Sequence, residues 1–122
     1  MKNLEIVDAH HHLWNLDCNY YPWLMDKKES DFFLGDYSSL KKNYLPEDYR
    51  TDAKNFNVIA TVHIEAEWDR SNQVGETAWL TTMNAQFNMP NAIIGHVWLA
   101  ERNCEEVLIK HNKHTLFKGV RS

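Results

Sequence analysis

Basic charge is scarce in this sequence. Thirteen Lys and Arg stand against 17 Asp and Glu, a net charge of −4 with histidine neutral. A chain without a positive field has nothing to gather phosphates, which argues against a nucleic-acid partner. Long apolar runs are missing too. None approaches the roughly 20 residues that cross a bilayer, so no membrane span is expected. The opening "MKNLEIVDAH" carries a lysine but no apolar stretch ahead of its charges, and does not read as a secretory signal. Cysteine is limited to Cys18 and Cys104, in unrelated contexts and without CxxC spacing. A disulfide stays open, but two reduced thiols in a cytoplasmic protein fit better. Repeats and low-complexity tracts are absent, and the 122 residues suit a single globular unit able to bury a core.

What the sequence has is alternation. "LEIVDAH" (4–10), "NVIATVHIEAE" (57–67), "NAIIGHVWLA" (91–100) and "TLFKGVRS" (115–122) read as strands from their β-branched content and period. "GETAWLTTMNAQFN" (75–88) places Trp79, Leu80, Met83 and Phe87 at helical spacing, with Trp79 and Met83 expected in the core. A shorter helix is expected from Pro46, in "PEDYRTDAKNF", with proline in a tolerated first-turn position. In "NCEEVLIKHNKH" (103–114), Asn103 and Glu106 have capping-box spacing, and His111 and His114 are expected in solvent. Strands alternating with helices predict right-handed βαβ units and a parallel sheet. The connection from Leu13 to about Leu45 is long and aromatic; it reads as a functional loop or as cover for the flank.

Alternate residues of a strand share a face. Ile6, Asp8, His10 and His12 then fall on one side of the first strand, and Val7, Ala9 and His11 on the other. His10 and His12 can converge on one point, while His11 is expected to pack outward against a helix. Two neutral imidazoles at a strand end suit a divalent metal, zinc above all. The same rule groups Thr61, His63 and Glu65 on the second strand, His96 and Trp98 on the third, and Phe117, Gly119 and Arg121 on the fourth. If these faces all turn inward, the centre collects Asp8, His10, His12, His63, Glu65, His96 and Arg121. Each has a plainer reading beside it. His63 and His96 suit hydrogen-bonded core histidines, Glu65 a helix-terminus or salt-bridge partner as readily as a site residue, and Arg121 has the fork geometry that binds carboxylates, which spacing alone leaves open.

The stretches "IVDAHHHLWNLDCNYYPWL", "YLPEDYRTDA", "VHIEAEWD", "VGETAWL", "IGHVWLA" and "FKGVRS" together resemble the amidohydrolase-related family, metal-dependent hydrolases of the TIM-barrel type. Within that family the lactonase-like members, which open sugar-acid or muconate-type lactones, are the nearer likeness. The resemblance runs from Leu4 to Arg121. It implies a (β/α)8 barrel of roughly 250 residues with its site at the C-terminal strand ends. Residues 1–122 would then be an N-terminal half, about four strands with their helices, truncated after the fourth.

By the same resemblance, His10 and His12 are the H-x-H ligands or catalytic imidazoles, and His11 is the variable middle residue. Arg121 is implied as the contact for a substrate carboxylate, with Glu65, His63 and Trp98 as further substrate-binding positions. Trp98 stands where relatives often carry an acidic residue, "GWVDL" against "GHVWL" here. Later histidines and a late Asp, the general base of the family, have no counterpart among these residues. The expected activity is attack of water on a lactone or related cyclic ester or amide, assisted by the metal or by histidine, with the 122 residues alone inactive. Two alternatives stay open: a non-enzymatic half-barrel that pairs with another copy, and a metal-binding module using the histidine triplet alone.

Overall fold

A computed structural model describes residues 3–26 and 35–122. Four strands, β1 (Glu5–His11), β2 (Asn57–Ile64), β3 (Ala92–His96) and β4 (Phe117–Arg121), form one parallel sheet in sequential order. Helices α1 (Pro22–Met25) and α2 (Pro46–Asp52) lie in the first crossover, α3 (Gln73–Phe87) in the second and α4 (Cys104–His111) in the third. Sequential parallel order with a helical crossover at each step is the pattern of a βα-barrel wall.

Local chemistry sets the helix ends. Pro46 opens α2, and the Asp48 carboxylate accepts the orphan Leu45 N–H at 2.9 Å. Asn88 closes α3 in the left-handed conformation, its N–H bonded to the Asn84 carbonyl. At α4 the expected capping box does not form, because the Asn103 side chain makes no cap hydrogen bond. Glu105 and Glu106 in the first turn and Lys110 in the last still match the helix dipole.

One face of the sheet is covered by helices. Leu13, Leu80 and Ile93 form a buried cluster there, with Tyr49 of α2 and Trp79 of α3 packed against it. Met83, expected in the core, is only half-buried. His111 is a clear correction. Expected in solvent, it is fully buried and donates or accepts at both ring nitrogens, with Thr77 Oγ1 at 2.9 Å and the His96 carbonyl at 2.9 Å. Its ring stacks on Phe117, with centroids 4.8 Å apart. Gly95 makes the room: a Cβ there would lie 2.7 Å from His111 Cε1. On the opposite face Val62, Ile64 and Ile94 are only partly buried.

The described part of the long first connection is a packed unit. An isolated bridge joins Trp14 to Tyr44, and Trp14, Tyr21 and Leu24 bury themselves against Ala66 and Trp68 just beyond β2. The remainder of that connection, residues 27–34, lies outside the described residues. Cys18 and Cys104 are both free thiols. Among the described residues no helix is long and apolar enough to cross a membrane.

Candidate functional site

The strand pairing slips at three places, at Ile6/Val7, at Asp8/His11 and at Ile93/Ile94, and the last two shape the site. Asp8 pairs with Thr61 but His11 with His63, so β1 advances three residues while β2 advances two. This bulge puts Asp8 and His11 on the same, helix-covered face. Tyr49 of α2 touches both: its hydroxyl donates to Asp8 Oδ2 at 2.6 Å, and its ring lies 5.0 Å from that of His11. Asp8 therefore does not share a face with His10 and His12; it meets His10 only by accepting that residue's backbone N–H at 3.1 Å. At β4 the pairing slips between Phe117 and Gly119, which separates Phe117, against His111, from Arg121, paired with His96.

His10 and His12 do converge. Their Nε2 atoms are 3.3 Å apart, and the rings meet edge to face. His12 Nδ1 lies 2.8 Å from the Ile64 carbonyl. A carbonyl only accepts, so the His12 proton sits on Nδ1 and its Nε2 lone pair faces His10. Burial, opposed by the bond to Ile64 and joined by the charge of His10, holds His12 below the usual imidazole range. A neutral imidazole with its tautomer set by a backbone carbonyl is the form a metal ligand takes.

The pair fits a shared cation. Two nitrogens on a tetrahedral zinc at about 2.0–2.1 Å from the metal sit about 3.3 Å from each other. The set is incomplete, however. Among the described residues no three His, Cys, Asp or Glu side chains come together as a cage.

Beside the pair opens a cavity of about 490 Å³, whose lining includes His12, Trp14, Trp23, Tyr37, Glu67 and Arg121. His12 and Arg121 thus reach one space, as the inward-facing pattern required. Arg121 comes to it already engaged. Its Nε donates to Glu65 Oε1 at 3.0 Å and its Nη2 to the Glu65 carbonyl at 2.7 Å. Glu65 is nearly inaccessible and also accepts from Arg70 Nη1 at 3.0 Å and from the Glu67 N–H at 2.9 Å. Burial pushes its carboxyl up, but the Glu67 N–H and the two guanidiniums outweigh that and hold it below the ordinary range. Glu65 stands behind Arg121 as an anchor and does not line the cavity.

The other expected positions fall elsewhere. His63 is completely buried on the helix-covered side, with its Nε2 3.3 Å from the Leu13 carbonyl. It has no surface to offer a substrate in this geometry, because its cross-strand partner is His11 and not an inward residue. His96 is buried and bonded through Nδ1 to Gln73 Oε1 at 2.9 Å. Trp98 is 45 % exposed, with its ring against that of His96 and under the Arg70 guanidinium, away from the cavity lining.

One buried group escaped the sequence reading. Glu76, in "VGETAWL", is 2 % exposed and accepts the Ala66 N–H at 3.0 Å. Burial, against that hydrogen bond, drives its carboxyl up to about 8, so it stays protonated at neutral pH. The helical spacing did carry a signal, since Glu76 precedes Trp79 by three residues and Leu80 by four, which puts it on the apolar side of α3.

No family model matches the chain. An uncharacterized protein, y4mH, of Sinorhizobium fredii is 38% identical over 121 residues, which is 99% of this chain and 40% of that protein. The chain therefore spans well under half the length of the curated relative it matches. A solved structure, amidohydrolase 2 from Bifidobacterium longum subsp. infantis, superposes on 76% of this chain and 32% of its own, with a TM-score of 0.52 at 18% identity. That likeness is one of fold alone, an α/β arrangement of four parallel strands with helices, consistent with part of a TIM-type barrel.

Proposed function

We propose that this chain is the first part of an amidohydrolase-type hydrolase barrel, and that His10 and His12 are its first cation ligands. The observation carrying this reading is the 3.3 Å approach of the two Nε2 atoms at the strand ends, with the His12 tautomer set by Ile64. The fold likeness and the short share of each relative that the chain covers support it. A bound divalent ion, zinc by the preference of paired imidazoles, supplies Lewis acidity and a lowered pKa for water. The chain's own residues do the rest. His12 holds its lone pair toward the site because its proton is committed to Ile64. Trp14 and Trp23 give the cavity an apolar wall beside His12.

The substrate class this suits is a small lactone, or a related cyclic ester or amide, bearing a carboxylate. Arg121 keeps Nη1 free of the Glu65 contacts, so one arm of its fork remains for an anion while Glu65 fixes the other two donors. Attack of water also needs a general base and further ligands, which fall outside these 122 residues in this reading. The isolated chain is then inactive. The experiment is an assay of aldonolactone and muconolactone opening with added Zn²⁺, run on the isolated chain and on a longer polypeptide that completes the barrel. Turnover only in the longer protein, abolished by His12→Ala, supports the proposal. Robust turnover by the isolated chain contradicts it.

A second reading has its own observation. Among the described residues β1 and β4 each pair on one side only, and Val7 on the β1 edge is 55 % exposed. Eight parallel strands close a barrel, so two copies could complete one another by joining β4 of each to β1 of the other. A discrete dimer by light scattering favours this non-enzymatic pairing; a monomer across concentrations counts against it.

A further inference from the structure

We infer that His63, a fully buried residue outside the cavity, is the positioning residue that aims His12 at His10; this rests on the reading of that pair as a cation site. Three contacts converge on His63. Its Nε2 lies 3.3 Å from the Leu13 carbonyl, its ring is 5.5 Å from that of His11, and it is 6.0 Å from that of His12. Register makes this unavoidable, since His63 is the cross-strand partner of His11.

His12 is thereby bracketed. The residue before it is packed on His63, the residue after it is hydrogen-bonded to His63, and its own Nδ1 is bonded to the next residue of β2, Ile64. Two consecutive residues of β2 grip three consecutive residues, His11 at the end of β1 and His12 and Leu13 just beyond it, where the bulge has disturbed the ladder. The chain end that carries His12 would otherwise have few fixed points, because among the described residues β1 pairs only with β2.

The hydrogen-bond inventory sets the chemistry. The Leu13 carbonyl only accepts, so His63 carries its proton on Nε2, and its Nδ1 is a buried lone pair without a partner among the described residues. His63 thus holds the backbone one residue beyond His12, and it acts on the ligand through Leu13 rather than by a bond to the His12 ring; partners bonded directly to a ligand are worth about 10–100-fold in metal affinity, which is the upper bound for this indirect hold.

Two variants separate positioning from packing. His63→Gln keeps an N–H donor within reach of Leu13; His63→Leu keeps bulk and removes the donor. The first readout is the His12 tautomer, from ¹⁵N shifts of the imidazole at alkaline pH with no metal added. The second is Co²⁺ affinity, measured with the metal ion alone. The expected result is a wild-type tautomer and affinity within about threefold in His63→Gln, and a mixed tautomer with about tenfold or greater loss in His63→Leu. A folded His63→Leu with unchanged tautomer and affinity overturns the assignment. Should His63→Leu not fold, a folded His63→Gln that loses the Nδ1–H tautomer overturns it equally. If no variant and not the wild type binds Co²⁺ while the tautomer responds as expected, the cation reading fails and the positioning role stands.

Discussion

The guanidinium of Arg121, the last residue of β4, donates both to the carboxylate and to the backbone carbonyl of Glu65, beyond the end of β2. The pair ties two strands that are not neighbours in the sheet, since β3 lies between them. It also closes the wall of the cavity at the strand ends. Arg70 completes the arrangement from the following loop, at 3.0 Å from Glu65 Oε2.

Glu65→Ala is expected to leave two guanidiniums without their carboxylate. Arg121 is 43% exposed and Arg70 28%, so solvent screens much of the penalty. A loss of about 1–3 kcal/mol follows, between the values for exposed and buried pairs. Urea denaturation with Glu65→Ala, Arg121→Ala and the double variant measures it, and coupling near zero would mean the pair contributes no stability.

His111→Ala is expected to cost about 3 kcal/mol. It removes a buried ring and strands both Thr77 Oγ1 and the His96 carbonyl. The wild-type residue has a pH signature as well. Burial lowers its pKa in the folded state, so the unfolded chain takes up a proton first as pH falls. Its contribution is complete above the unfolded value near 6.5 and is lost as pH drops through the folded value. Thermal midpoints measured from neutral to acid pH are expected to fall, and a flat profile would speak against a neutral, buried His111.

Glu76 works in the opposite direction. Its folded pKa of about 8 lies above the ordinary 4.5, so the folded state holds the proton more tightly. The stability it lends is fully present below pH 4.5 and is lost as pH rises through about 8. Glu76→Gln mimics the protonated form and keeps an acceptor for the Ala66 N–H. Between pH 4.5 and about 8 its thermal midpoint is expected to decline less than that of the wild type; parallel profiles across that window would show that Glu76 does not titrate there.

Much of this arrangement was legible in the residues. β-branched alternation located all four strands, and the spacing of His10 and His12 anticipated their approach. Bulges were not legible, because a bulge is set by pairing between strands and leaves no mark in one strand's own pattern. Asp8 and Phe117 were therefore grouped with the wrong neighbours. Counting two-residue steps also turned His63 toward the cavity, whereas its partner His11 holds it on the helix side. His111 did carry a signal that went unused: it follows Val107 by four residues and Leu108 by three, which places it on the apolar side of α4. The Arg121–Glu65 bond spans 56 residues of sequence and belongs to the tertiary fold alone.

Zinc titration by calorimetry bears most directly on the His10–His12 pair. The wild-type chain and His11→Phe, which keeps a ring against Tyr49, are expected to bind one ion per chain with similar affinity. His10→Ala and His12→Ala are each expected to weaken it by at least about tenfold. Equal affinity across all four proteins, or no binding by the wild type, would contradict the assignment of this pair as a cation site.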